Sequence, residues 1–183
     1  MSNGEHGDSA GRLASLYREA IRRHAAQPVG YRQPLAATHR HEEYNALCGD
    51  RIEVSLRISG DAVEAAAFDG EACAICLASA SLLCSLAPGR TAVELGALND
   101  LLHEALRVPA GAASAANEQE SRLKPLPQQD LPEELQPLLG VRPYPSRIRC
   151  ATLPWTAALE ALASGGCAEL HATQPRAAEP QVG

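Results

Sequence analysis

Between Ile52 and Ile58 the chain reads I-E-V-S-L-R-I, with an apolar side chain at every second position. Successive side chains of a strand point to opposite faces, so this alternation predicts a half-buried strand. Ser59 to Asp61 supply a short turn, and Ala62–Phe68 returns as the next strand of a hairpin. Upstream the period changes. From Arg12 to Ala26, the residues Leu13, Leu16, Tyr17, Ala20, Ile21 and His24 fall on one helical stripe. Pro28 ends that helix, and Gly30 and Pro34 extend the break.

Downstream the pattern is helical again. After a loop around Gly70, a helix is expected from Cys73 to Ala87, stopped by Pro88 and Gly89. Thr91 to Glu94 form a capping box that opens a helix to Arg107. Residues 109–121 are small and polar, and a flexible insert is set at about 108–131. Pro132–Gly140 carries a short helical turn. Ser146–Ala163 reads as the last helix, with Pro154 near its start or at a kink, and Gly165 and Gly166 end it. Residues 1–10 and 167–183 read as a disordered lead-in and tail, which leaves one domain over 11–166. Helix, hairpin and then helices is an α+β order with an antiparallel sheet.

Composition narrows the function classes. The 183 residues are 45% apolar but hold one Phe, one Trp and four Tyr, so the core is built from Leu, Ile, Val and Ala. A net charge of −6 and few stacking aromatics argue against nucleic acid. No apolar run approaches a membrane span. The start, "MSNGEHGDSAGR", has neither the charged beginning nor the apolar centre of a signal peptide. A cytosolic location is expected, where the six cysteines stay reduced.

The cysteines are then core filler, metal ligands or nucleophiles. Cys84 lies with Leu77 and Ala80 on the apolar side of its helix and reads as core. Cys167 has no assigned role. Cys48, in "CGD" with Asp50, opens the first strand of the hairpin. Cys73 stands where a loop enters a helix, and free N–H groups there favour a thiolate. Cys150 stands near another helix start, just after Arg147 and Arg149, whose positive charge also favours a thiolate. Three junctions of this kind can converge at one end of a small fold. Three thiolates and the Asp50 carboxylate make a tetrahedral zinc set. No local spacing forces them together. Cys73 and Cys76 form a CxxC without the βαβ context of a redox motif, so Cys76 is a spare thiol near the site. His39 and His41 read as a solvated loop, His24 as a packed histidine, and His103 as helix surface. No Ser/His/Asp set, P-loop or GxGxxG occurs.

"ALCGDRIEVSLRISGDAVEAAAFDGEACAICLASAS" and "SRIRCATLPW", with "SLYREAIRRHAAQP" before them, resemble the SufU branch of the IscU/NifU N-terminal family of iron–sulfur cluster assembly proteins. The resemblance spans about Leu13 to Leu162, apart from the insert. It implies a compact α+β fold with a three-stranded antiparallel sheet and helices packed on one side. It also implies that Cys48, Asp50, Cys73 and Cys150 form one solvent-accessible metal site. IscU proteins carry a histidine before the last cysteine and an L-P-P-V-K segment. Here Arg149 precedes Cys150 and the segment reads "PYPSRIRC", similar to SufU. Ala72 replaces the family's usual Gly before the middle cysteine.

The function implied is that of a zinc-bound sulfur acceptor. It takes persulfide sulfur on Cys48 from a SufS-type cysteine desulfurase, a pyridoxal-phosphate enzyme, and passes it to downstream SUF proteins. The role is sulfurtransferase-like rather than that of a stand-alone enzyme. With zinc the site carries a formal charge of about −2, which Arg149 partly offsets. Two alternatives use the same residues: a scaffold on which an iron–sulfur cluster is built, and a non-catalytic zinc module that binds partners.

Overall fold

The computed structural model describes residues 5–107 and 131–165, with side chains from residue 11 onward. The insert other than Leu131, the tail after residue 166 and Cys167 lie outside the described residues. The chain runs α1 (Glu5–Ala26), β1 (His39–Asn45), β2 (Asp50–Ser59), β3 (Ala62–Glu71), α2 (Ala74–Leu86), α3 (Ala92–Arg107), a 3₁₀ segment (Glu133–Val141) and α4 (Pro145–Ala163). The order read from the pattern holds except for β1, a strand that the periodicity did not show.

The three strands form one antiparallel sheet in the order β1-β2-β3. On β2, Ile52, Val54 and Leu56 are fully buried and face the helices, while Arg51 faces solvent. The apolar alternation read from the sequence is this face. α4 packs on β1 and β2, α2 touches β3, and α1 lies on α2 and the 3₁₀ segment. The helices therefore cover one side of the sheet. The far edge of β3 is closed by the segment after α1: Phe68 N–H donates to Gly30 O at 2.9 Å and Arg32 N–H to Phe68 O at 2.8 Å.

Four expectations need correction. The lead-in set at 1–10 is helical from Glu5, because an established helix grows by one hydrogen bond per residue fixed. His39 and His41 lie on β1, not in a loop. The sequence of β1, HRHEEYN, hides a strand because its inward positions are polar and sit against α4. Leu13 and Leu16 are exposed, so among the described residues the apolar stripe of α1 is covered only from Tyr17 onward. His103 is half-buried rather than surface.

The capping box of α3 forms as read: Thr91 N–H donates to Glu94 Oε2 at 2.8 Å, and Glu94 N–H to Thr91 Oγ1 at 3.3 Å. Ala72 is not among the positive-φ residues, so its Cβ needs no strained backbone.

Two serines of the A-S-A-S stretch lock helices together. Ser79 Oγ accepts from Trp155 Nε1 at 3.1 Å and donates to Ala151 O at 2.5 Å, joining α2 to α4. Ser81 Oγ accepts from Val29 N–H at 2.9 Å and meets His24 Nδ1 at 2.9 Å, joining α2 to α1. Both serines are buried, and burial of a hydroxyl is tolerable only when it is bonded in this way.

Candidate metal centre

In an antiparallel pair the start of one strand lies beside the end of the next. Asp50 opens β2 and Glu71 closes β3, so Cys73, two residues past β3, comes to the same end of the sheet as Asp50. The β1–β2 hairpin turns at that end too, and its four-residue tip, Ala46 to Gly49, carries Cys48. Gly49 has φ +76°, a left-handed conformation that glycine adopts at no steric cost. Its N–H donates to Asn45 O at 2.8 Å, which closes the turn. α4 runs across β1 and β2 and brings Cys150 beneath this tip.

The result is a compact donor set. One ligand atom each from Cys48, Asp50 and Cys150 all lie within 4.8 Å of one another. The Cys48 and Cys150 sulfurs are 3.5 Å apart. Cys48 is exposed, whereas Asp50 is 3% and Cys150 0% exposed. Cys73 is half-exposed at the N-cap of α2, and its sulfur stands outside the 4.8 Å group. Its N–H donates to Asp50 Oδ1 at 2.7 Å. The carboxylate thus caps α2, a task for which the Cys73 side chain makes no hydrogen bond.

Burial alone would push the Asp50 carboxyl upward. The neighbouring Cys48 and Cys150 thiols and the Cys73 N–H outweigh it and hold the carboxyl below its ordinary value. The Cys150 thiol is pushed strongly upward, first by burial, then by Asp50, Cys48 and Cys73. Arg147 and Arg149 were expected to ease its ionisation, but both are exposed while Cys150 points into the fold. Successive helical residues diverge by about 100°, so sequence neighbours need not share an environment. A divalent cation would reverse the sign of these effects, because ligands must give up their protons to bind it.

The donor set fits a metal ion. Asp50 Oδ2 is buried and has no hydrogen-bond partner, a costly arrangement unless something else meets it. Sulfur and carboxylate donors suit zinc, and thiolates also hold iron–sulfur clusters.

The other cysteines are explained by packing. Cys76 is fully buried in the core, and burial first, then Asp50, Cys73 and Cys48, push its thiol upward. It lies near the site as an inert neutral thiol. Cys84 is buried as expected, its thiol pushed up to about 12 by burial. His39 Nδ1 is bonded to Thr38 Oγ1 at 2.8 Å, and His41 Nε2 faces Glu43 at 3.5 Å, so neither joins the centre. A groove of about 680 Å³ lies on the opposite face of the sheet, lined by Arg32, Pro34, Arg40, Ser55 and Asp69 among others. It holds none of the cysteines.

One residue of the centre went unnoticed in the sequence. Asn45, at the end of β1, is fully buried and touches both Cys48 and Cys150. Its signal was a polar side chain three residues before Cys48, at the turn of a hairpin whose first strand was not visible.

A family model described as the NifU-like N terminal domain matches residues 16–123. That span contains Cys48, Asp50 and Cys73 and stops short of Cys150. The zinc-dependent sulfurtransferase SufU of Bacillus subtilis (strain 168) is 30% identical over 145 residues, 79% of this chain and 88% of that protein. The iron–sulfur cluster assembly scaffold protein IscU of Streptococcus pyogenes serotype M1 is also 30% identical, over 151 residues, 82% of this chain and 85% of that protein. Two solved structures share the fold. The N-terminal NifU-like protein of Brucella abortus superposes with a TM-score of 0.64 at 22% identity, covering 82% of this chain and 94% of that one. A putative iron–sulfur cluster assembly scaffold protein for the SUF system from Fervidobacterium islandicum AW-1 superposes with a TM-score of 0.62 at 23% identity, covering 79% and 94%. Among the described residues no helix is long and apolar enough to cross a membrane. With the fold, the donor set and these similarities together, the chain belongs to the IscU/NifU family, whose named members here are SufU and IscU proteins of iron–sulfur cluster assembly.

Proposed function

We propose that this protein is a cytoplasmic sulfur acceptor of the SUF type that holds zinc through Cys48, Asp50, Cys73 and Cys150. The observation that carries this reading is the contrast in exposure: Cys48 is open to solvent, while Asp50 and Cys150 beside it are buried. A buried pair anchors the site and an accessible thiol meets the partner. Zinc, when bound, keeps the thiols ionised and the donor set closed.

The partner is a SufS-type cysteine desulfurase carrying a persulfide. The Cys48 thiolate attacks the outer sulfur of that persulfide. The sulfur–sulfur bond in the desulfurase breaks, its cysteine leaves as a thiolate, and Cys48 retains the sulfur as its own persulfide. Asp50 and Cys150 stay in place and preserve the geometry for the return step. Arg149, next to Cys150 in sequence but exposed on α4, is assigned only a general offset of the site's net negative charge. The sulfur then passes to downstream SUF proteins.

A second reading is a scaffold for an iron–sulfur cluster, favoured by the name of the Streptococcus pyogenes relative, which is equally similar. Protein purified without oxygen separates the two. Zinc without acid-labile sulfide supports the acceptor, and iron with matching sulfide supports the scaffold. The acceptor also requires that Cys48→Ala abolish sulfur uptake, read as one added sulfur on the intact chain. A Cys48→Ala protein that stimulates desulfurase turnover like the wild type would overturn this assignment.

A further inference from the structure

Asn45 is 0% exposed, and an amide is an expensive group to bury. Packing alone would be served better by an apolar side chain. Its polar atoms are directed at the hairpin tip and at Cys150 instead. Asn45 Oδ1 accepts from Leu47 N–H at 3.2 Å, inside the hairpin tip. That bond identifies the other end of the amide as nitrogen, and Asn45 Nδ2 donates to Cys150 Sγ at 3.8 Å. The Asn45 backbone carbonyl accepts from the N–H groups of Cys48 at 3.3 Å and Gly49 at 2.8 Å, and the Cys48 thiol lies 4.0 Å from it. One residue therefore holds the turn that carries Cys48 and reaches the sulfur on α4.

The neighbours of that sulfur differ in kind. Asp50 and the Cys48 sulfur bring lone pairs towards Cys150, whereas Asn45 brings an N–H. A hydrogen bond to a ligating thiolate removes electron density from the sulfur and fixes its direction. Groups that orient ligands in this way contribute about 10–100-fold to metal affinity.

We propose that Asn45 is a positioning residue of the metal centre, whose side-chain amide ties the Cys48 turn to α4 and donates an N–H···S hydrogen bond to the Cys150 thiolate. The proposal rests on the metal-site reading above, and holds for either zinc or a cluster as the cargo.

The test uses cobalt(II) as the probe, read by its thiolate charge-transfer absorption and by competition with a chelator. Two variants separate the donor from the turn. Asn45→Ser keeps a short oxygen for Leu47 N–H and loses the reach to Cys150. Asn45→Asp keeps the acceptor and replaces the donor. Loss of the N–H···S bond raises the energy of the sulfur electrons. The charge-transfer band is therefore expected to move to lower energy in both variants, with cobalt affinity reduced about 10–100-fold. A residue that only shaped the turn would leave the band of bound cobalt in place. Bands and affinities equal to those of the wild type overturn the proposal. A readout on the wild-type chain does not depend on the variants folding. In protein loaded with NMR-active cadmium, an Asn45 side-chain amide proton should correlate with the metal through the sulfur. No such correlation in a protein that binds cadmium through its thiolates would overturn the role of Asn45 and leave the metal site standing. A wild-type protein that shows no thiolate charge transfer with cobalt would overturn the metal-site reading itself.

Discussion

The sulfurs of Cys48 and Cys150 lie 3.5 Å apart although 102 positions separate them in the chain. The hairpin tip supplies one and the second turn of α4 the other, and α4 is held over β1 and β2 by the core. A disulfide bond is about 2.05 Å long, so a small movement of the tip would bring the two sulfurs to bonding distance. In the presence of a chelator, a mild thiol oxidant should withdraw two electrons and two protons from this pair and leave a Cys48–Cys150 disulfide. Peptide mapping should find that link, and added zinc should suppress it. A link between Cys48 and another cysteine, or none, would contradict the geometry.

Gly70 lies opposite Ile52 in the β2–β3 pairing, with φ +150°. A Cβ there would sit 2.1 Å from Arg51 O, which is backbone and cannot turn aside. Gly70→Ala should cost about 1–3 kcal/mol from the backbone conformation, with the clash in addition. Gly49→Ala meets nothing within 4 Å and should cost only the left-handed conformation, about 1–2 kcal/mol. Urea midpoints of the two variants should fall in that order.

Ser79→Ala removes the acceptor of the Trp155 indole N–H, which is fully buried. An orphaned buried donor costs about 1–3 kcal/mol. The same hydroxyl ties α2 to α4, the two helices whose starts carry Cys73 and Cys150. Stability in urea should drop by that amount, and zinc affinity measured against a chelator should weaken with it. A variant as stable as the wild type would show that Ser79 does not bridge the helices in solution.

The pH dependence follows from His24 and His103. Burial, then Arg23, lowers the first; burial, then Arg107, lowers the second, with Asp100 opposing. Both take up protons more readily in the unfolded chain, whose histidines titrate near 6.5. Their contribution is therefore complete above that value and is lost as the pH falls through it toward the folded values. Thermal midpoints measured with a chelator throughout should decline between neutral pH and about pH 5.5. The double variant His24→Gln, His103→Gln should flatten that decline. An undiminished decline in the double variant would assign it to other groups.

β2 was legible because four apolar side chains at every second position, Ile52 to Ile58, have one stable arrangement, a strand with one face in the core. β1 was not, since its inward residues His39, His41, Glu43 and Asn45 carry no apolar period. Their partner, α4, lies about a hundred residues further on. Leu13 and Leu16 err in the other direction: they complete an apolar stripe on α1 that the described residues do not cover. Arg149 adjoins Cys150 in the chain but is exposed where Cys150 is buried, since adjacency along a helix does not place two side chains in one environment.

By itself the sequence determined the helices and the β2–β3 hairpin, the capping box of α3 and, through its motifs, the family to which the chain belongs. Each rests on local periodicity or on residues adjacent in the chain. Only the tertiary structure decided which thiols meet, which one is exposed, that Asp50 caps α2 with one oxygen and leaves the other unpartnered, and that Asn45 joins the hairpin tip to Cys150. Those outcomes depend on how α4 crosses the sheet. That crossing is set by the volume and shape of a core drawn from the whole chain, which no local pattern records.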